Sequence, residues 1–217
     1  LELAAWLVLH PGATSHQIDE VLAPNGRVTR DTRNSRIREL RKWLGAHEDG
    51  GLYLPLLTSQ SDRRFRLEHV ACDWTDFQQL VADSGDPSDR PERLREALDL
   101  VRGRPFSGVP ARRYSWSEDL AQEMITAVVH AADELADLRL RESDGRGALW
   151  AATRGLQVAR EAEQLWRQRF RAHALLGEDR ELEAAIRSME SMLLDLGGYS
   201  MEAETSDTLQ LLQMAKR

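Results

Sequence analysis

The sequence predicts a mainly α-helical protein that starts as a winged helix-turn-helix with a short β-hairpin wing and continues as a purely helical domain. Three observations support this fold class. Leu, Ala, Arg and Glu dominate the composition, and these residues lose little side-chain freedom in a helix. A basic helical segment precedes two short segments with strand-like patterning within the first 70 residues. From residue 71 onward, the apolar side chains recur only at helical spacing.

Length and composition set the limits of the prediction. The 217 residues suffice for two domains, which we place at residues 1–70 and 71–217. The net charge of −7 argues against a surface that binds nucleic acid everywhere, but it leaves room for one local basic patch. Cys72 is the only cysteine, which fits a reducing, cytoplasmic setting. No apolar run reaches the length of a membrane span, so we expect no direct membrane contact.

Three helices are predicted in the first 45 residues. Their ranges are 1–10, 15–23 and 29–45, and Pro, Gly and Asn residues separate them. Thr29 is the expected N-cap of the third helix, and Gly45 is its expected stop.

The third helix is strongly basic within an acidic chain. Its cations are Arg30, Arg33, Arg36, Arg38, Arg41 and Lys42, against Asp31 and Glu39. When the apolar side chains of this helix face the core, Arg38 and Lys42 point toward solvent. This pattern is typical of a recognition helix that lies on nucleic acid, and also of an amphipathic helix with a solvated Arg-rich face.

The wing is predicted after this helix. Residues 52–57 and 63–70 read as two strands joined by the polar loop 58–62. Arg63 and Arg64 then lie at the tip of the hairpin.

Together, the basic helix and the wing predict contact with double-stranded DNA. The predicted contact residues are Arg30, Asn34, Ser35, Arg36, Arg38, Arg41, Lys42, Arg63 and Arg64. Arg38 reaches either a guanine edge or only a phosphate, and the spacing does not decide between them. In the alternative interpretation, Arg36 and Arg41 pair with nearby carboxylates and hold no DNA backbone.

Apolar positions in the helical domain repeat with a period of 33 residues. The corresponding pairs are Leu149 and Leu182, Ala152 and Ala185, and Leu156 and Met189. This period is close to the 34 residues of a tetratricopeptide-type helical hairpin. Such hairpins stack into a solenoid with a concave face, so residues 71–217 are predicted to be tetratricopeptide-like.

Aromatic and basic side chains in this domain have two interpretations. They pack between helices, or they line the groove of the solenoid and bind a protein partner. The candidate partner-binding residues are Trp150, Arg154, Trp166, Arg169 and Phe170.

Catalytic patterns do not emerge from the sequence. The six histidines are scattered, without metal-ligand spacing or a partnered nucleophile, and no Gly-rich phosphate loop occurs. We therefore expect no enzyme activity, no metal site and no cofactor.

Several segments, in this order, carry a family resemblance. They are Ile37–Gly45, Asp73–Phe77, Ala97–Phe106, Gly147–Leu149, and Leu196-Gly197 ahead of Glu204-Thr205. The sequence resembles bacterial transcriptional activators of the antibiotic-regulatory-protein type, in which a winged helix precedes the bacterial transcriptional activator domain. Within that family it is most similar to the C-terminal region of actinobacterial proteins that also carry a LysM module.

The resemblance implies a DNA-binding transcriptional regulator whose helical domain mediates dimerisation or contact with a protein partner. The chain starts at Leu1 with a segment that already has a helical pattern, so we expect it to be part of a longer protein with further domains upstream. The family's N-terminal sheet is missing, which fits either a truncated start or a genuine variant. Glu39 stands where the family's recognition helix is usually basic. This departure motivates an alternative, a protein-interaction or signalling module at the C-terminus of a larger membrane protein, whose winged helix does not read DNA.

Overall fold

Two compact units make up the chain. The computed structural model describes residues 2–24, 26–82, 85–110 and 114–215. The first unit consists of residues 1–75 with 110–116, and the second consists of residues 76–109 with 117–217. The return of segment 110–116 to the first unit has no counterpart in the two-domain division that the sequence predicts.

The first unit contains three helices, α1 (Glu2–Leu9), α2 (Ser15–Leu22) and α3 (Arg30–Leu44). A capping box of Thr14 and Gln17 starts α2, because each residue satisfies a free backbone N–H of the other. The Thr29 hydroxyl accepts a hydrogen bond from the Thr32 N–H, and Gly45 ends α3 with a φ of 77°. Both predicted ends of the basic helix are thereby confirmed.

A small apolar core holds these helices together. The side chains of Leu7, Ile18 and Leu54 are fully buried there. Ile37 and Leu40 are the two residues that α3 buries in this core. The rest of α3 is therefore free to face solvent or polar neighbours.

The predicted β-hairpin is not formed as a two-stranded ladder among the described residues. One backbone hydrogen bond, from the Glu68 N–H to the Tyr53 carbonyl, joins the two predicted strands at 2.9 Å. Phe65 instead exchanges backbone hydrogen bonds with Ala13 in the turn between α1 and α2, at 2.8 and 3.1 Å. Positive φ angles at Arg63 and His69 break the extended backbone at both ends, which explains why the segment pairs so briefly.

From Asp73 onward, the described residues form only helices and the loops that connect them, as predicted. The helices are α4 (Asp73–Ala82), α5 (Arg90–Asp99), α6 (Glu118–Arg141), α7 (Gly145–Leu156), α8 (Glu163–Leu175), α9 (Asp179–Asp195) and α10 (Ala203–Ala215). Helix α6 packs on α5, α7 and α8, while α8 packs on α7, α9 and α10. No helix in the described ranges has both the length and the apolar character needed to cross a membrane.

Small residues allow α7 to approach its neighbours closely. A side chain at Gly155 would lie 2.5 Å from Leu165 of α8 and 2.8 Å from Ala132 of α6. Ala152 of α7 and Ala185 of α9, 33 positions apart in the sequence, are both buried. The sequence repeat therefore marks core positions in α7 and α9, the helices on either side of α8 in the chain.

Candidate nucleic-acid interface

One face of α3 presents cations that have no partner in the part of the chain that the structure describes. Arg30, Asn34, Arg38 and Lys42 are all exposed and follow one another at intervals of four residues. This spacing aligns them in a strip about 18 Å long, which we call the outward strip. Among the described residues, Arg30, Arg38 and Lys42 form no ion pair or side-chain hydrogen bond. Such cations remain available to a polyanion.

Glu39 lies beside the outward strip and is engaged by its neighbours on α3. Its carboxylate accepts a hydrogen bond from the Arg36 guanidinium at 3.2 Å and one from the Ser35 hydroxyl at 3.5 Å. The pairing predicted as the alternative for Arg36 therefore occurs. Since both members of this ion pair are exposed, it contributes little to stability and can open when another anion approaches.

Arg41 does not belong to the exposed face, contrary to the prediction that it holds a DNA backbone. Its Nε donates to the Leu54 carbonyl at 2.8 Å and its Nη2 donates to the Pro55 carbonyl at 3.1 Å. Burial lowers the pKa of Arg41. These carbonyls lie in a segment without a β-ladder among the described residues, so the guanidinium supplies the missing donors.

A second arginine fixes the position of α3 against α2. The Arg33 guanidinium forms a partly buried ion pair with the Asp19 carboxylate. An arginine at an inward position of an amphipathic helix is thus satisfied by a carboxylate from the neighbouring helix.

At the predicted wing tip the two arginines differ. The Arg64 guanidinium, predicted as a DNA contact, donates to the Gly12 carbonyl at 3.0 Å within the first unit. Arg63 is exposed, with a φ of 53°, and has no side-chain partner among the described residues. Nearby, Arg66 pairs with Asp62 at 2.6 Å and lowers the pKa of that carboxyl group.

Two of the predicted partner-binding residues in the helical unit are core residues. Phe170 is fully buried, and Trp166 is 6% exposed with its Nε1 donating to the Arg160 carbonyl at 2.8 Å. Neither side chain lines an accessible groove. The interpretation as interhelical packing is correct for both.

The other three predicted partner-binding residues form stacked pairs. The guanidinium of Arg95 lies 3.9 Å from the ring centroid of Trp150, and that of Arg154 lies 5.5 Å from it. Arg169 lies 5.4 Å from the Trp166 ring, and burial lowers the pKa of Arg169. Cation–π contact thus occupies both indole rings.

A groove on the first unit was not predicted. It encloses about 250 Å³ and contains Trp43, which is 62% exposed. Its lining residues are Leu3, Leu22, Arg36, Glu39, Leu40 and Trp43. The sequence spacing could have predicted that Trp43 is exposed. Trp43 follows Glu39 by four residues and therefore lies next to it on the polar side of α3.

Three potential metal ligands also come together, although the sequence predicted none. Ligand atoms of His47, Asp49 and His69 all lie within 4.8 Å of one another. The two histidines are 22 positions apart, and no short motif links them. Only the return of the chain after residue 52 makes them neighbours.

Comparison with known proteins agrees with the second half of the resemblance. A family model described as the bacterial transcriptional activator domain matches residues 72–212, which is more than half of the chain. The matched range contains every segment from Asp73 onward on which the resemblance rests. A search of curated proteins found no match.

Proposed function

Because the chain belongs to the bacterial transcriptional activator domain family, we propose that it regulates transcription by binding double-stranded DNA through α3. On this proposal the first unit acts as a winged helix, and the helical unit contacts a protein partner or a second copy of the chain. The observation that carries the proposal is the outward strip, with three exposed cations that have no partner in the described residues of an acidic protein. The DNA contacts are Arg30, Asn34, Arg36, Arg38, Lys42 and Arg63.

These side chains suit the two kinds of contact that DNA offers. A major groove admits one α-helix, and phosphates flank it on both sides. Asn34 has the donor and acceptor pair that fits an adenine edge, and Arg38 fits a guanine edge or a phosphate. Arg30, Lys42 and Arg63 bind phosphates, which position the helix but carry no sequence information.

Glu39 and Arg36 serve as an adjustable pair on this surface. In the free protein their ion pair reduces the repulsion between the Glu39 carboxylate and an approaching phosphate. On DNA, Arg36 exchanges Glu39 for a phosphate. The acid therefore weakens binding without preventing it.

The test measures how the affinity for a mixed-sequence DNA duplex depends on salt. The Arg30→Ala/Arg38→Ala/Lys42→Ala variant loses up to three phosphate contacts, so the slope of log K against log salt becomes shallower by roughly 3. The matched control is Arg102→Ala/Arg141→Ala/Arg187→Ala, which removes three exposed cations from the helical unit. If both variants made the salt slope shallower by the same amount, DNA affinity would depend only on the net charge of the protein, and the proposal would fail.

An interaction role without DNA is the second candidate, and exposed apolar side chains favour it. Leu194, Tyr199, Leu211 and Met214 near the C-terminus are each at least 66% exposed. Apolar side chains grouped in one stretch of chain are typical of a surface that binds protein. In this case the chain is a module of a larger protein, and α3 does not read DNA.

DNA binding separates the two candidates, and sedimentation analysis tests the self-association that both candidates allow. The Leu211→Ser/Met214→Ser variant should lose self-association if the helical unit binds a second copy of the chain. The second candidate is favoured if the unchanged protein does not bind DNA at low salt and this variant abolishes its self-association.

A further inference from the structure

The loop that follows α3 is a tight turn that presents two side chains together. The His47 N–H donates to the Gly51 carbonyl at 2.7 Å, and the Gly50 N–H donates to the His47 carbonyl at 2.9 Å. Gly50 has a φ of 86°, which only glycine adopts without strain. The Asp49 carboxylate accepts the Gly51 N–H at 2.8 Å and is thereby fixed next to His47.

His69 reaches this loop from the other end of the first unit's extended segment. The hydrogen bond from the Glu68 N–H to the Tyr53 carbonyl sets its register. The imidazole rings of His47 and His69 stack with their centroids 4.3 Å apart and their planes 20° apart. His69 has a φ of 55°, a conformation that histidine rarely adopts, so the backbone is constrained where it delivers this side chain.

The three side chains provide the donor set of a metal site. Nδ1 of His47 lies 3.3 Å from Oδ1 of Asp49, yet this buried nitrogen makes no hydrogen bond with the described residues. The backbone hydrogen bond from Gly51, and then the two histidines, lower the pKa of Asp49. A carboxylate facing two imidazoles can share one cation with both.

We propose that His47, Asp49 and His69 bind a divalent transition-metal ion, with Zn²⁺ as the best match. Two imidazoles and one carboxylate are ordinary zinc ligands, with bond lengths of about 2.0–2.2 Å. Ligand atoms within 4.8 Å of one another surround such a position once the stacked imidazole rings rotate to direct their nitrogen lone pairs at the ion. Asp49 and His69 are exposed, so water completes the tetrahedral coordination.

The bound ion links two segments that otherwise share little structure. It ties the turn after α3 to the end of the extended segment, and it closes a loop of 22 positions. Because binding requires the folded arrangement of both segments, the ion stabilises the first unit. The site is independent of the outward strip, since none of its ligands belongs to α3.

Zinc titration against a chromophoric chelator tests the proposal on the full chain. The unchanged protein should bind one Zn²⁺, and its unfolding midpoint should rise when Zn²⁺ is added. His47→Ala and His69→Asn should each weaken binding at least tenfold and abolish the rise in midpoint. Asparagine accepts a positive φ more readily than other residues, so His69→Asn keeps the backbone intact.

His16→Ala is the matched control. His16 also faces a carboxylate, Glu20, at 3.4 Å, but it lies outside the cluster. Its removal should leave zinc affinity unchanged. Circular dichroism verifies that each variant is folded before titration. Equal zinc affinity in His69→Asn and the unchanged protein overturns the proposal, as does a failure of the unchanged protein to bind Zn²⁺.

Discussion

Helices α3 and α8 are both rich in arginine, but the arginines of α8 bind neighbouring parts of the fold, whereas several of those in α3 face solvent. In α8, Arg167 donates to Glu202 at 2.7 Å and to Thr205 at 2.9 Å. Arg171 reaches Thr208 at 3.5 Å, so these guanidinium groups connect α8 to the region of α10. In α3, by contrast, Arg30 and Arg38 have no partner among the described residues.

The difference lies in the neighbours and not in the arginine content. Helix α8 packs on α7, α9 and α10, and polar side chains in and just before α10 lie within reach of its arginines. Helix α3 buries only Ile37 and Leu40, which leaves much of its surface uncovered. A run of arginine therefore marks a binding surface only where the fold provides no internal acceptors.

The largest effect on stability is expected from Phe170→Ala, which tests how deeply α8 is buried in comparison with α3. Phe170 is fully buried in α8, and truncation of such a residue leaves a cavity. We expect a loss of about 3–5 kcal/mol in the free energy of unfolding, measured by urea denaturation. Tyr199→Ala, at a site that is 71% exposed, serves as the control and should change it by less than about 0.5 kcal/mol. A loss below 1 kcal/mol for Phe170→Ala would contradict its place in the core.

Arg41→Ala tests whether an arginine of α3 acts inside the fold. The substitution leaves the Leu54 and Pro55 carbonyls without their donors, so unfolding should become easier by about 1–3 kcal/mol. Arg41→Lys keeps the charge but cannot reproduce the two-donor geometry, so it should also destabilise the protein. If Arg41→Lys kept full stability while Arg41→Ala weakened DNA binding, Arg41 would be a DNA contact instead.

Glu39→Gln probes the acid on the exposed side of α3. It removes one negative charge next to the outward strip and releases Arg36, so DNA affinity at low salt should rise about threefold. Glu190→Gln makes the same charge change at an exposed site of α9 and should have no effect. Fluorescence anisotropy on one duplex measures both. A fall in affinity for Glu39→Gln would mean that Glu39 contacts a base.

The smallest effect is expected from an ion pair of the helical unit. Arg90 donates to Glu134 through Nε at 2.7 Å and Nη2 at 2.8 Å, and these bonds lower the pKa of Glu134. Since the folded pKa lies below the ordinary value of 4.5, the pair stabilises the fold above that value and loses this contribution as the pH falls through the folded pKa. Solvent screens a carboxylate that is 44% exposed, so the contribution is about 0.5 kcal/mol.

Glu134→Gln should therefore remove this part of the acid dependence of stability and little else. Urea denaturation at neutral pH and at successively lower pH values measures how the free energy of unfolding depends on pH. If Glu134→Gln cost as much as Phe170→Ala at neutral pH, charge and not apolar burial would dominate the stability of the helical unit.

Local patterns were sufficient to predict most helices and their ends. The Thr29 cap and the Gly45 stop are local because they satisfy or release backbone groups within one turn of α3. The 33-residue repeat indicated Ala152 and Ala185 as core positions because small residues are needed where helices approach. The resemblance from Asp73 onward indicated the bacterial transcriptional activator domain family, whose family model matches residues 72–212.

Contacts between distant residues escaped prediction. The extended segment pairs through Phe65 with Ala13 and not with the predicted partner strand, because a single strand pattern does not specify its neighbour. Trp166 and Trp150 carry the same side chain, but only the packing of adjacent helices decided that the first is buried more deeply.

The sequence by itself determined the helices, the acidic net charge and the concentration of positive charge in α3, since each depends on residue type and spacing. Only the tertiary structure decided which cations stay free. Arg41 and Arg64 donate hydrogen bonds to backbone carbonyls, and Arg36 pairs with Glu39. Arg38 and Lys42 have no partner among the described residues. The physical reason is that a guanidinium binds whichever acceptor the fold brings within about 3 Å, and the acceptors of Arg41 and Arg64 come from distant parts of the chain.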